Sequence, residues 1–369
     1  MSTKQIAKMS VENSQTNVNQ LFADRFKSAR LLNGLSLQDL ADKLGQVISR
    51  QALHKYEKGE VIPDSEMLGR LSAALGVRPD YFFSEVVVEL GELEFRKLKR
   101  LSVREQNRII ERTKDVLARY LELEAILGIG AEFHNPLFGT EVISSFEDVE
   151  KAAKTIRQKW HLGSDPISNC IELLEANHIK VVEVYSEEGF DGMQTFVNGK
   201  IPVIVFNASR MTAPDRTRFT VLHELGHLLM PLRGLDERQK ETFCHQFAAA
   251  MLFPKEVAER ELGRIRNKLL VPELGVLKQQ YGISIQALAY RARDLGIITN
   301  SYLKQFMVLM GMNQWKVTEP VAYSGSEKSG RFRQLIYRAL AEELISISKA
   351  AALTNQSLND FRKQMMLVE

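Results

Sequence analysis

The chain has only two cysteines in 369 residues, Cys170 and Cys244, far apart and outside any Cys-x-x-Cys arrangement. A disulfide scaffold is thereby excluded, and a reducing, cytoplasmic setting is expected. No apolar run approaches the ~18–20 residues needed to span a bilayer, so no membrane partner is expected. The opening stretch, MSTKQIAKMSVENSQTNVNQ, lacks the apolar centre of a secretory leader. It is polar, and residues 1–19 are expected to be disordered. An excess of one charge is also missing: 49 Lys and Arg against 46 Asp and Glu leave +3. The chain as a whole does not announce a polyanion partner, although a local basic patch is compatible with that balance. Apolar residues make up 44% and charged ones 26%, an ordinary globular composition with enough length for two or three domains.

What is present centres on Phe219-Thr-Val-Leu-His-Glu-Leu-Gly-His-Leu-Leu-Met230. Positions i and i+4 of an α-helix share a face, so His223 and His227 can bind one metal ion. Glu224 lies beside them to handle protons, and the flanking Phe219, Val221, Leu222, Leu225, Leu228 and Leu229 predict a buried helix. Zinc is the economical reason to bury two histidines and a glutamate. A catalytic zinc takes three protein ligands and leaves a fourth position to water, whose proton Glu224 would accept and later deliver to a leaving amine. The third ligand is sought in Glu241-Thr-Phe-Cys-His245, where Glu241 and His245 are themselves i, i+4 and either could face the metal. A histidine at 233 after a glycine at 230 would mark another zinc family, but Met230 and Arg233 stand there.

Upstream of this helix, Ser145 to Trp160 and Ile167 to Ala176 read as helices. Ile179–Tyr185, Met193–Val197 and Ile201–Phe206 read as strands, the last two joined by the hairpin signal Asn198-Gly199. Strands followed by the histidine helix predict an α+β domain with a small sheet. Its edge strand offers an extended peptide a place to add itself. The region from about 146 to 296 resembles the ImmA/IrrE family of zinc metallopeptidases. The resemblance rests on Phe190-Asp-Gly192, Asp215-Arg-x-Arg-Phe-Thr220, His223-Glu-Leu-Gly-His227, Glu241-x-x-Cys-His-x-Phe-Ala248 leading to Pro254, Ser284–Leu288 and Tyr290-Arg291. It implies a zincin-like domain over 146–300 with one zinc ion held by His223, His227 and Glu241, and Glu224 as the catalytic residue. It leaves His245 on the helix face. Family members cleave repressor proteins, which implies a repressor-like protein substrate. Arg216 and Arg218 are read as partners of carboxylates.

Residues 20–85 are dense in helix signals. Ser36 can cap Leu37–Leu44, Ser49 can cap Arg50–Lys58, and Asp64 or Ser65 a further helix, with Gly45, Gly59 and Gly76 ending each in turn. Pro79 suits the first turn of another. The segment resembles the Cro/phage-repressor (XRE) type of helix-turn-helix domain, through Leu37-Gln-Asp-Leu-Ala41 and Ser49-Arg-Gln-Ala-Leu-His-Lys-Tyr-Glu-Lys-Gly59. That implies a double-stranded DNA operator read by Ser49, Arg50, Gln51, His54 and Lys55. Arg50 suits guanine, Gln51 adenine and Lys55 phosphate, while Ala52, Leu53 and Tyr56 pack inside. The turn from Gly45 to Ser49 is about two residues longer than the usual tight one.

Between the two, residues 86–145 read as a helical connector, with no Pro or Gly from Glu92 to Leu127. Within it Ile109, Thr113, Val116, Tyr120, Leu123 and Leu127 recur at spacings of four and three. That seam suits either packing on a flanking domain or a homodimer. Asn135-Pro136 and Gly139 mark a boundary. Residues 301–369 read as a helical C-terminal region for docking or assembly, with Ser324–Gly330 a flexible loop. The expected fold is thus multidomain: an all-α helix-turn-helix domain, a helical connector, an α+β zincin-like domain and a helical C-terminal region. Two functions follow. One is a DNA-binding regulator fused to a zinc endopeptidase acting in stress or mobile-element control. The alternative is a non-proteolytic repressor or antitoxin-like DNA binder whose zinc domain senses a ligand or holds the fold.

Overall fold

The computed structural model describes residues 3–84, 88–91, 101–130, 132–187, 189–211 and 213–366; the first part of the expected connector helix, 92–100, lies outside them. The chain forms two compact units. One comprises residues 1–89, 98–130 and 332–369, the other 90–97 and 131–331.

In the first unit α1 spans Thr3–Leu32, α2 Leu37–Lys43, α3 Arg50–Glu57 and α4 Ser65–Leu75, followed by a 3₁₀ turn over Pro79–Phe83. The polar opening stretch, expected to lack order, belongs to α1 from Thr3 onward. No Gly or Pro precedes Gly34 to stop the helix. Ser36 and Asp39 form a capping box at α2, Ser49 caps α3 and Asp64 caps α4. Phe22, Phe26, Leu40, Leu53, Leu71 and Phe82 make the core of this bundle. Arg30 closes it from one side, pairing with Glu57 at 2.7 Å and donating to the Leu35 carbonyl.

The same unit contains α5, Val103–Leu127, and three helices from the far end of the chain: α14 Arg331–Ala341, α15 Ile347–Leu353 and α16 Leu358–Met366. Tyr120 and Leu123 of the connector seam are buried in one cluster with Leu335, Ile336, Ala351 and Phe361. Arg119 also donates to the Leu353 carbonyl at 2.9 Å. That part of the seam is covered within the chain.

The second unit opens with α6, Phe146–Lys159, and α7, Cys170–Ala176. Strands β1 Lys180–Val184, β2 Gly192–Val197 and β3 Ile201–Asn207 form a sheet ordered β1-β3-β2, parallel on one side and antiparallel on the other. Asn198 and Gly199 both hold positive φ, 50° and 67°, and Lys200 N–H donates to the Val197 carbonyl across them, as a type I′ turn requires. Then come α8 Pro214–Leu229, α9 Glu237–Leu252, α10 Lys255–Leu262, α11 Val271–Tyr281, α12 Ile285–Asp294 and α13 Asn300–Met312. Helix α8 packs on β2 and β3, and its other side meets α9.

The stretch expected to be a flexible loop is anchored instead. Glu327 is buried, pairs with Arg218, and accepts from the amides of Cys170 (2.8 Å) and Ile171 (3.3 Å) at the start of α7. Upstream of it, Glu319 accepts from Ile285 and Gln286 at the start of α12 and binds Lys278, which also pairs with Asp215.

Candidate metal centre and DNA-facing helix

The histidine helix is nearly all buried because it is sandwiched between the sheet and α9, and Gly226 lets the second helix close in. A Cβ there would sit 3.1 Å from Phe247 and 3.3 Å from the Cys244 sulfur. Glycine inside a helix costs about 1 kcal/mol against alanine, and the close approach it permits offsets that. The crossing brings α9's Glu241 to the histidines of α8. Glu241 Oε2 lies 3.1 Å from His223 Nε2 and Oε1 lies 3.2 Å from His227 Nε2; the two Nε2 atoms are 3.2 Å apart. Donors on a tetrahedral ion with ~2.0 Å bonds stand about 3.3 Å apart, and each histidine nitrogen has the other nitrogen and one Glu241 oxygen near that spacing. His223, Glu241 and His245 also gather, with one ligand atom from each within 4.8 Å of the others. His223 is buried, Glu241 half-buried and His245 exposed.

Glu224 is buried on the sheet side of α8, against Gly192 of β2. A Cβ on Gly192 would meet Glu224 Cγ and Thr220 Cγ2 at 3.0 Å and Glu224 Oε1 at 3.2 Å. The Phe190-Asp-Gly192 turn is itself fixed. Arg210 and Arg216 both bind Asp191, at 2.7 and 3.1 Å. Asn207 is fully buried; its amide donates to the carbonyls of Ser186 and Phe190 and its oxygen accepts from the Ser186 and Ser209 amides. Asn207 fixes this turn and was missed by sequence reasoning; the only signal was an asparagine closing an apolar strand. Arg216 and Arg218 do bind carboxylates, and Arg218, fully buried, also donates to the carbonyls of Ile167 and Ser168. Cys170 is fully buried, and that burial pushes its thiol up to about 12.

In the first unit Ser49, Arg50, Gln51, His54 and Lys55 are all exposed on α3 and at its cap, while Leu53 is buried and Ala52 and Tyr56 pack against the core. One face of the helix therefore anchors it and the other carries the five polar side chains. The long turn is accommodated by positive φ at both Gly45 and Gln46, which lets Ile48 reach the core.

A short bundle presenting a polar helix face, and a helix pair presenting a His-Glu-His cluster beside a small sheet, describe a helix-turn-helix module and a module that could hold a metal ion. The comparisons agree. Residues 26–82 match the helix-turn-helix family, and residues 177–293 match the IrrE N-terminal-like domain of the M78 peptidase family. A SPbeta prophage-derived uncharacterized HTH-type transcriptional regulator, YonR, of Bacillus subtilis (strain 168) is 44% identical over 61 residues. That match covers 16% of this chain and 55% of the relative, so the chain spans about half the length of the curated protein it resembles. A helix-turn-helix domain implies DNA binding, and the second matched region is similar to a peptidase family and contains residues that could hold a metal ion. No helix among the described residues is long and apolar enough to cross a membrane.

Proposed function

We propose that the chain is a cytoplasmic DNA-binding regulator fused to a zinc-dependent endopeptidase that cleaves a repressor-like protein. The observation that carries this reading is the convergence of His223, His227 and Glu241 at 3.1–3.2 Å, with Glu224 held on the same helix against Gly192. When bound, zinc supplies Lewis acidity toward a scissile carbonyl and makes water easier to ionise. Glu224 accepts the proton of the attacking water and delivers it to the leaving amine. The substrate main chain lies along β2, whose outer edge, among the described residues, is paired only near its far end, by Leu90 to Val197 and by Gly91 to Phe196. At the other unit, Arg50 and Gln51 read base edges in the major groove while Lys55 takes phosphate. A homodimer on paired half-sites needs a surface other than Tyr120 and Leu123 of the α5 seam.

The test is metal analysis of the purified protein, followed by incubation with repressors encoded beside its gene. Glu224→Gln should retain zinc and lose cleavage, and Glu241→Ala should lose both. Cleavage that survives Glu224→Gln would remove Glu224 from the mechanism. A wild-type protein that holds zinc and cuts none of those repressors would favour the non-proteolytic alternative.

A further inference from the structure

The metal cradle has a fourth donor at its rim. His245 lies one turn after Glu241 on α9, and its ring centroid is 4.4 Å from that of His223 and 5.9 Å from that of Phe219. Its Nδ1 is 2.6 Å from the Glu241 carbonyl oxygen. A carbonyl only accepts, so this contact suits a proton on Nδ1, which in the neutral ring would leave the Nε2 lone pair for a metal ion. Histidines that bind metals are oriented this way, with the far ring nitrogen donating to a carbonyl or carboxylate. Two i, i+4 pairs thus face each other across the helix crossing: His223 with His227, and Glu241 with His245.

We propose that His245 is a fourth protein ligand, which closes the metal site at rest and withdraws when a substrate group takes its place. The inference rests on the metal reading above. Three protein ligands leave a position open for chemistry, whereas four make a closed site. His223 and His227 already stand at ligand spacing from each other and each from its own Glu241 oxygen, while His245 stands in the looser group with His223 and Glu241, within 4.8 Å. An exposed side chain at that distance can enter or leave by a small rotation, without disturbing the core. Exchange needs no proton or electron: the Nε2 lone pair replaces one oxygen donor on the ion, and the oxygen donor replaces it on the way back.

The experiment uses the full chain loaded with zinc or cobalt, as wild type, His245→Ala and, as a control on the exposed face of the same helix, Thr242→Ala. X-ray absorption should count three imidazoles in wild type and Thr242→Ala but two in His245→Ala. Zinc affinity in His245→Ala should fall about 10- to 100-fold with one ion still bound at saturation. Acetohydroxamate, which needs the open position, should bind the cobalt form of His245→Ala at least about tenfold more tightly than wild type. Two imidazoles in the wild type, or equal hydroxamate affinity, would overturn the closed site while leaving the three-ligand centre standing. A wild type that binds no metal would overturn the metal reading itself, and this inference with it.

Discussion

At the scale of single residues, the candidate site depends on a position with no side chain. Gly192 is where β2 passes Glu224, and any Cβ there comes within 3.0 Å of Glu224 and Thr220. Gly192→Ala should therefore displace the carboxylate, while none of the three donors is among the atoms the new Cβ meets. Misplacement of a catalytic group by about 1 Å costs roughly 100-fold in rate. The variant is expected to keep full zinc content and lose about that factor in kcat/KM on a cleavable repressor; unimpaired turnover would show that Glu224 does not need this contact. The pairing of His223 with His227 was legible because helix periodicity alone puts them on one face. Which residue of α9 joins them was not, since Glu241 and His245 satisfy the same spacing. The contact of Gly192 with Glu224 was not legible either, because it depends on a strand and a helix whose packing no local pattern states.

At the scale of elements, the hairpin and the caps follow from local chemistry, and the stretch after α13 does not. Ser324-Gly-Ser-Glu-Lys-Ser-Gly330 has the composition of a solvated loop. Only the structure shows that its Glu327 is the counter-charge of the buried Arg218, which lies in the first turns of the histidine helix. The sequence signal was an arginine close to the apolar part of that helix, which had to find a partner somewhere. Removing one member of a buried pair is costly because the other stays buried and uncompensated, typically about 3–5 kcal/mol. Glu327→Ala also strips an acceptor from the first amides of α7. The expected result is a loss of that size in urea unfolding of the full chain, followed on a probe in the second unit. The double variant Arg218→Met with Glu327→Leu should recover part of it, because no charge is then left unpaired. The recovery stays partial, since the Ile167 and Ser168 carbonyls lose their donor. A loss under about 1 kcal/mol in Glu327→Ala, the size of an exposed ion pair, would mean that this stretch is the loosely held loop its composition suggests.

At the scale of the whole molecule, the first unit is assembled from residues 1–89, 98–130 and 332–369, with the entire second unit's main segment intervening. Helix α5 shares its core with α14, α15 and α16, and that pairing could not be inferred from either stretch alone, since each reads only as an amphipathic helix. Helix α3 belongs to this unit, and His223, His227 and Glu241 belong to the other. A change confined to one should therefore be silent in the other's assay. Arg50→Ala with Gln51→Ala removes the two side chains proposed to read bases, where a good base contact is worth about 1–3 kcal/mol of discrimination. Retention of a cognate operator should weaken by at least tenfold, with zinc content and cleavage unchanged. In the opposite direction, Glu241→Ala or removal of zinc by a chelator should end cleavage and leave operator affinity within about twofold. Both assays run on the same preparations, at one stated salt concentration because phosphate contacts are salt-dependent. If chelation instead shifts operator affinity by more than tenfold, the metal centre acts on DNA binding through a coupling of more than about 1.4 kcal/mol. The chain would then be a metal-responsive DNA binder, whether or not it also cuts.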